Sequence, residues 1–224
     1  MAKNDKNKRD EFENVEQALT TTEAFIEKYQ KHILTGVTIV VLIVVAILAF
    51  HRFYLRPQEA AAEIELYKAE RYFKGDSFQI ALEGDFEFVG FQEIASKYNL
   101  TPSGNVANAY AGICFYKLED YQNAIKYLSK YKGKDNYLKA TVIGLIGDSY
   151  IQLDQTEKAI GYFEKAAGVK NQVTSPIYLK KAGIAYESLN KLDKALNCYL
   201  KVKEEYAQTS EAADIDKYIA RIQK

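Results

Sequence analysis

The stretch AGICFYKLEDYQNAIKYL, residues 111–128, returns twice further along the chain with the same spacing of small and bulky side chains. The second copy is IGDSYIQLDQTEKAIGYF, residues 146–163, and the third is AGIAYESLNKLDKALNCY, residues 182–199. The copies align without gaps, and their starting points lie 35 and then 36 residues apart. A period of this size indicates a repeat architecture in which helical hairpins stack on one another.

Four positions recur in every copy: a glycine, an aromatic residue, an alanine and a bulky residue. They are Gly112, Phe115, Ala124 and Leu128; then Gly147, Tyr150, Ala159 and Phe163; then Gly183, Tyr186, Ala195 and Tyr199. Glycine inside a helix costs about 1 kcal/mol relative to alanine, so three glycines at matching positions predict a close approach of two helices. The helices of each hairpin are expected to join at turns near Glu119, Asp154 and Asn190.

These residues resemble the tetratricopeptide repeat family, whose first helix carries a small residue and an aromatic and whose second carries an alanine and an aromatic. The resemblance covers residues 105–206 as three repeats. The family's tryptophan is absent from every copy, and Asn136, Asn171 and Ala207 stand where its closing proline would be. The resemblance implies an all-α fold, an α-solenoid of helical hairpins.

The flanks of the three repeats fit the same architecture. Residues 58–104 predict a degenerate first hairpin, in which Ala69, Tyr72 and Ala81 keep the spacing but Asp85 stands where an aromatic is expected. Ala69 precedes Gly112 by 43 residues, so an insertion is expected around residues 82–90. Residues 207–224 predict a closing helix, since a terminal repeat needs one polar face.

The segment ILTGVTIVVLIVVAILAF, residues 33–50, contains no charged residue. A helix of this length nearly covers the hydrocarbon thickness of about 30 Å, so the sequence predicts one transmembrane helix, a signal anchor over residues 33–55. His32 and His51 flank it as interfacial anchors. The tail, residues 1–32, is expected to be partly disordered. The alternative is a buried core helix, although such helices rarely stay apolar on every face.

Charge excludes one class of partner and leaves the topology open. Thirty basic residues balance thirty acidic ones, so no net field would recruit nucleic acid. Lys28 and Lys31 precede the apolar segment, while Arg52, Arg56 and Lys68 follow it, so charge alone does not orient the segment in a membrane.

The sequence predicts no catalytic, cofactor or metal site and no small-molecule substrate. Both histidines flank the apolar segment, no His, Cys and Asp group has zinc spacing, and no glycine-rich phosphate loop occurs. Cys114 and Cys198 fall on different repeats, beyond the reach of about 7 Å that a disulfide allows between Cα atoms. We therefore expect a protein that is not an enzyme and that holds two buried free thiols.

The family resemblance implies a binding groove, because first helices line the concave surface of such solenoids. The expected lining is Asn105, Val106, Ala109, Ile113, Tyr116, Thr141, Gly144, Asp148, Ile151, Ile177, Lys180, Ile184 and Glu187. This mixed and partly apolar set suits a non-native segment or a helix of a partner protein. For Val106 and Ile113, packing between repeats is the alternative.

A short charged tail, one apolar segment and a small repeat array together resemble bacterial inner-membrane proteins of the YfgM type. That resemblance implies a cytoplasmic N terminus, a periplasmic repeat domain, and partners among Sec translocon subunits, a membrane-anchored chaperone or non-native clients. We expect a membrane-anchored adaptor near the translocon. Two alternatives stay open: a scaffold for envelope or cell-division complexes, and an organellar import receptor with a cytosolic repeat domain.

Overall fold

The computed structural model describes residues 28–223 and divides the chain into two compact units, with the boundary in the sequence between Tyr54 and Leu55. The prediction for the tail concerns mainly residues 1–27, which lie outside the described residues. Lys224 lies outside them as well. The regular elements within residues 28–223 are helices connected by loops. The one exception is an isolated β-bridge between Gly84 and Val89, and this part of the chain contains no β-strand. The all-α prediction is confirmed.

The first unit contains the apolar segment. Residues 28–50 form helix α1, a π-helical segment follows at His51–Leu55, and the whole helical stretch runs Lys28–Lys74. It is long and apolar enough to cross a membrane, and none of its most apolar window is buried. The hydroxyls of Thr35 and Thr38 donate to backbone carbonyls one turn earlier, both at 2.8 Å. The apolar segment is therefore not a core helix of the described chain.

The second unit consists of ten α-helices between residues 56 and 222. They are α2 (Arg56–Lys74), α3 (Phe78–Glu83), α4 (Phe91–Lys97), α5 (Pro102–Lys117), α6 (Tyr121–Leu128), α7 (Asn136–Gln152), α8 (Thr156–Ala167), α9 (Thr174–Ser188), α10 (Leu192–Glu205) and α11 (Ile215–Ile222). Helices α5–α6, α7–α8 and α9–α10 form three hairpins that stack in chain order.

Each hairpin turns through a residue in the left-handed region. The φ angles are 63° at Glu119, 57° at Asp154 and 56° at Asn190, and Asp76 between α2 and α3 has 56°. These positions follow the repeat spacing, and Asp76 precedes Glu119 by the same 43 residues that separate Ala69 from Gly112. The helices α2 and α3 therefore turn at the same repeat position as the later hairpins.

The helices of each hairpin touch at the repeated glycine. A Cβ on Gly112 would lie 2.5 Å from Cγ of Leu128, and one on Gly147 would lie 2.6 Å from Cε1 of Phe163. The space over Gly183 is filled in the same way by the ring of Tyr199. The alanines of the second helices, Ala124, Ala159 and Ala195, are completely buried.

The insertion that the sequence predicts in the first hairpin of the array forms the loop between α3 and α4. Its backbone closes through the bridge between Gly84 and Val89, and Gly84 has a φ of 86°. The loop places Phe88 on Tyr72, with ring centroids 4.8 Å apart. Phe88 thus supplies the aromatic packing that the sequence pattern places at Asp85.

Helix α11 closes the array by packing against α10 and by burying Ile215 and Ile219 in the apolar cluster that also contains residues of α9 and α10. Asp216 and Lys217 remain exposed on its outer side. Consecutive first helices touch, since α5 contacts α7 and α7 contacts α9. Within residues 56–222, the second helices α6, α8 and α10 make no comparable contacts with one another. Because the second helices diverge, the first helices lie on the inner side of the array.

The start of the second helix is capped by a side chain in only one of the three hairpins. Asp120 accepts a hydrogen bond from the amide of Asn123 at 3.1 Å, whereas Gln155 and Lys191 at the equivalent positions form no such bond. Replacing Gln155 by Asp is expected to raise the free energy of unfolding by about 1 kcal/mol. Thermal unfolding followed by circular dichroism measures this, with Gln155→Glu as the control. Equal gains from both variants would assign the effect to charge instead of capping.

Candidate partner-binding groove

The candidate groove is the inner face of α5, α7 and α9. Apart from Asn105, the residues predicted to line it fall into four rows at the repeat steps of 35 and 36 residues. The rows are Val106, Thr141 and Ile177; Ala109, Gly144 and Lys180; Ile113, Asp148 and Ile184; and Tyr116, Ile151 and Glu187. All twelve lie on first helices, and the four rows differ in what they leave accessible.

The row that contains Ala109 and Gly144 packs between repeats. Both residues are buried, and the ring of Tyr178 on α9 occupies the space where a side chain at position 144 would stand. Burial, followed by the nearby charge of Asp148, raises the pKa of Tyr178 to about 12. Ala109 and Gly144 thus join adjacent first helices instead of offering groove surface, which corrects their expected placement.

The charged members of the groove already have partners within the fold. Lys181 Nζ lies 2.7 Å from both carboxylate oxygens of Asp148. Lys180 Nζ lies 2.6 Å from Asp214 Oδ1, and this hydrogen bond holds the pKa of Asp214 below its usual range. Because their charges are paired, Asp148 and Lys180 offer a partner little net charge.

The third ion pair joins α9 to α11, where Arg221 donates to Glu187. The side chain of Glu187 is 15% exposed, so a partner would meet Arg221, at 57%, more readily. Arg221 lies on α11, and Asp214 directly precedes this helix. Arg221 binds the groove residue Glu187 and Asp214 binds Lys180, so two ion pairs connect the closing helix and the residue before it to α9.

Sequence reasoning missed Tyr178, Lys181, Asp214 and Arg221. Each contacts the preceding first helix across 33 or 34 residues, as the hydrogen bonds of Lys181, Lys180 and Arg221 show. A search for opposite charges separated by nearly one repeat would have found the three ion pairs, because that spacing joins neighbouring first helices.

A few side chains are left to meet a partner. Ile184 is 42% exposed, Thr141 is exposed and Ile177 is half-buried. Ile113 and Tyr116 are half-buried against the core of α5–α7, and Ile151 is half-buried against that of α7–α10. Val106 is half-buried too. The side-chain oxygen Oδ1 of Asn105 accepts a hydrogen bond from the backbone N–H of Lys132 at 2.8 Å, which connects α5 to the loop between α6 and α7. The accessible groove is therefore mainly aliphatic.

Groups with reactive chemistry are not gathered here. Within residues 28–223 no cluster of three or more His, Cys, Asp or Glu side chains could hold a metal ion. Cys114 and Cys198 are free and buried, and burial raises their pKa to about 12 and about 11. The absence of catalytic and cofactor sites stays a prediction from the sequence.

Comparison with known proteins agrees with this geometry. Residues 140–172 and 179–209 each match a sequence profile of the tetratricopeptide repeat. No curated protein is significantly similar to the chain in sequence. The crystal structure of MamA has 16% identity and a TM-score of 0.51, over 69% of this chain and 92% of that one. TPR-like repeats from a Podospora anserina protein have 13% identity and a TM-score of 0.51, over 77% and 86% of the two chains.

At these identities the two solved structures show the fold alone. Together with the matched repeats, they establish an α-solenoid of tetratricopeptide repeats. Such repeats define a scaffold for protein–protein interaction. The predicted class of the fold is confirmed, and protein partners follow from the repeats.

Proposed function

We propose that the chain is a membrane-anchored adaptor whose groove binds segments of other proteins beside the Sec translocon of a bacterial inner membrane. In this proposal α1 spans the membrane, the N terminus is cytoplasmic and the repeats are periplasmic. The partners are translocon subunits, a membrane-anchored chaperone or non-native clients. The observation that carries the proposal is an uncovered apolar helix joined to a repeat array whose inner face is aliphatic.

The exposed surface of α1 supports the membrane anchor. Residues 33–50 are exposed throughout, including large side chains such as Leu42 at 62% and Leu48 at 63%. Removing one such side chain from water is worth about 1.5–3 kcal/mol, so eighteen residues strongly favour a hydrocarbon environment. The hydroxyls of Thr35 and Thr38 bond within the helix, which satisfies them without water.

The chemistry of the groove supports recognition by apolar contact. Asp148, Lys180 and Glu187 are paired inside the fold, so the aliphatic side chains Ile177 and Ile184 carry the accessible surface. A helix or extended segment with a few apolar anchors matches such a surface. Confinement to one membrane raises the effective concentration of a partner, so a groove of modest affinity is sufficient.

The order of the segments supports the translocon as the place of action. One N-terminal apolar segment followed by a short tetratricopeptide array resembles the YfgM type, in which such arrays associate with the translocon and a chaperone. Proteins leaving the translocon expose apolar segments before they fold. An anchored aliphatic groove at that position can hold these segments.

Site-specific photocrosslinking in native membranes tests the adaptor. A photoreactive residue at Ile184 is expected to capture translocon subunits, the chaperone or newly exported chains. Asn197, exposed on the second helix α10, is the matched control and should capture none of them. Exclusive capture of wall-synthesis or division proteins at Ile184 would replace the adaptor by the scaffold alternative.

The orientation is tested by reporters fused to the C terminus of the full chain. A reporter that is active only in the periplasm should be active, and one that requires the cytosol should be silent. Activity of the cytosolic reporter would overturn the orientation, and in an organelle it would favour the import receptor.

A further inference from the structure

A second concave surface lies between α6, α7 and α8. It is a cleft of about 420 Å³, here called the lysine cleft. Its floor contains Val142, Ile143 and Ile146, and its rim carries Lys132, Lys139 and Lys165. Among the described residues that line it there is no Asp or Glu. The cleft thus combines an apolar floor with three cationic groups.

The three lysines are available to a ligand, and the cleft wall is fixed. Within residues 28–223 none of the three side chains forms a salt bridge, and all three residues are exposed. The backbone amide of Lys132 donates to Asn105 at 2.8 Å, which ties the wall to α5. This hydrogen bond holds one side of the cleft in place.

A complementary protrusion lies on the loop between α3 and α4. Phe86 at its tip has a relative exposure of 110%, and Asp85 and Glu87 flank it. The loop is held by the hydrogen bond from the amide of Glu87 to Asp85 Oδ1 at 2.8 Å, and by Phe88, which is buried. An aromatic side chain with an area of about 150–250 Å² is thus presented to solvent on a fixed turn. We call this turn, residues 85–87, the Phe86 knob.

We propose that the Phe86 knob of one copy of the chain inserts into the lysine cleft of a second copy. The phenylalanine ring covers the aliphatic floor, while Asp85 and Glu87 face the lysines of the rim. Three cationic groups meet two carboxylates, so the charges of the two surfaces are complementary. Buried aromatic anchors surrounded by polar groups are typical of the residues that dominate binding energy at interfaces.

The two surfaces are different, so a single contact that is not reciprocated across a two-fold axis is head-to-tail. A copy that donates its knob still offers its cleft, and a copy that accepts a knob still offers its own. Heterologous contacts of this kind build rows or rings instead of closed two-fold dimers. Such a row would place several grooves side by side, which goes beyond the adaptor proposed above.

A lipid surface is the other occupant to consider for an exposed phenylalanine. The carboxylates of Asp85 and Glu87 disfavour it, because anionic headgroups repel them and the hydrocarbon region excludes them. The lysine cleft, in contrast, attracts the same two carboxylates. The flanking charges therefore favour a second copy of the chain over the bilayer.

Crosslinking between two differently tagged full chains in one membrane tests the contact. One chain carries Glu87→Cys with Asp85 and Phe86 retained, and the other carries Lys139→Cys with Lys132 and Lys165 retained, so each surface keeps part of its charge. The native Cys114 and Cys198 are buried and serve as the background. A short bismaleimide should join the two cysteines and so link the differently tagged chains, whereas a partner chain with Lys217→Cys, at an exposed position of α11, should not react above background. Equal yields with Lys139→Cys and Lys217→Cys would overturn the proposal.

Two further substitutions show whether the crosslink depends on the proposed contact or only on chance proximity of the two chains. Adding Phe86→Ala to the Glu87→Cys chain should lower the yield about tenfold, whereas Tyr67→Ala, an exposed aromatic on α2, should leave it unchanged. Adding Lys165→Glu to the Lys139→Cys chain should lower the yield about fivefold. A yield that is insensitive to Phe86→Ala would contradict insertion of the ring.

Dilution of the chain in vesicles distinguishes insertion of the knob into the bilayer from its insertion into a second copy. A polarity-sensitive dye on the Glu87→Cys chain, reconstituted at about one chain per vesicle of mixed neutral and anionic phospholipid, should report an aqueous environment. It should become shielded only as chains are added. Shielding at one chain per vesicle would assign the knob to lipid and overturn the second copy as its occupant.

Discussion

Replacing Gly112 by alanine is expected to lower the free energy of unfolding of the repeat array by about 2 kcal/mol. The added Cβ would lie 2.5 Å from Cγ of Leu128 and 2.9 Å from its backbone nitrogen. Leu128 is 1% exposed, so it has no room to withdraw, and the two helices of the hairpin must separate. Thermal unfolding of the full chain in mild detergent, followed by circular dichroism, measures the loss.

Gly161 on α8 is the matched control, because a Cβ there would have no heavy atom within 4 Å. Its replacement by alanine removes the cost of glycine in a helix and should stabilise the protein by about 0.5–1 kcal/mol. The same chemical change thus has opposite signs at the two positions. Destabilisation of equal size at both would refute the interpretation that the repeated glycines exist for close helix contact.

A double variant locates the strain more closely. Leu128→Ala removes the side-chain clash with an alanine at position 112, but the backbone nitrogen of Leu128 remains. The two substitutions together should therefore cost less than the sum of their separate effects, without full recovery. At Gly183 the three nearest atoms all belong to the side chain of Tyr199. The double variant Gly183→Ala with Tyr199→Leu should therefore regain more of the lost stability than the double variant at positions 112 and 128.

The periodic part of this fold was predictable from the sequence, because the same contact is made three times. Gly112 with Leu128, and Gly147 with Phe163, occur at one spacing and touch as two helices of a hairpin must. The left-handed turn residues repeat for the same reason. Each feature is set inside one hairpin, so the linear pattern contains all the information needed.

The candidate groove was less predictable, because its character depends on contacts between hairpins. Asp148 was expected to face a partner, yet it binds Lys181 on the next first helix. Gly144 was expected on the surface, yet Tyr178 covers it. Such contacts depend on how far one hairpin rotates on the next, which the spacing within a repeat does not specify.

The loops were the part of the fold that the sequence predicted least well. The insertion around residues 82–90 was expected, but nothing periodic indicated that Phe88 would turn inward and Phe86 outward. The lysine cleft likewise joins residues from α7, α8 and the loop before α7. The knob lies where the repeat pattern is interrupted, and the cleft combines side chains of two neighbouring hairpins, so the three-dimensional structure is needed to find them.

Raising the pH from about 10 to about 12 is expected to unfold the repeat array, with buried tyrosines as the main cause. Burial raises the pKa of Tyr178 to about 12, and the charge of Asp148 adds to the effect. Burial and the carboxylate of Glu164 raise the pKa of Tyr186 to about 12 as well. In the unfolded chain a tyrosine ionises near pH 10.

The sign follows from which state holds the proton. Below pH 10 the tyrosines are protonated in both states, so the fold keeps its full stability. Between about pH 10 and 12 the unfolded chain releases protons that the folded chain retains, and the free energy of unfolding falls as the pH rises. A shift of two pKa units corresponds to about 2.7 kcal/mol for Tyr178 alone, a large share of the 5–15 kcal/mol typical of a domain.

Tyr178→Phe separates this titration from general alkaline damage. The phenyl ring still covers Gly144, so the free energy of unfolding at pH 7 should change by less than about 1 kcal/mol. Above pH 10, however, the variant should lose stability less steeply than the parent chain. Tyr137→Phe, whose ring is 55% exposed, should leave the slope unchanged. Urea unfolding at a series of pH values gives both slopes, and identical slopes for the parent chain and Tyr178→Phe would show that this buried hydroxyl does not control the alkaline transition.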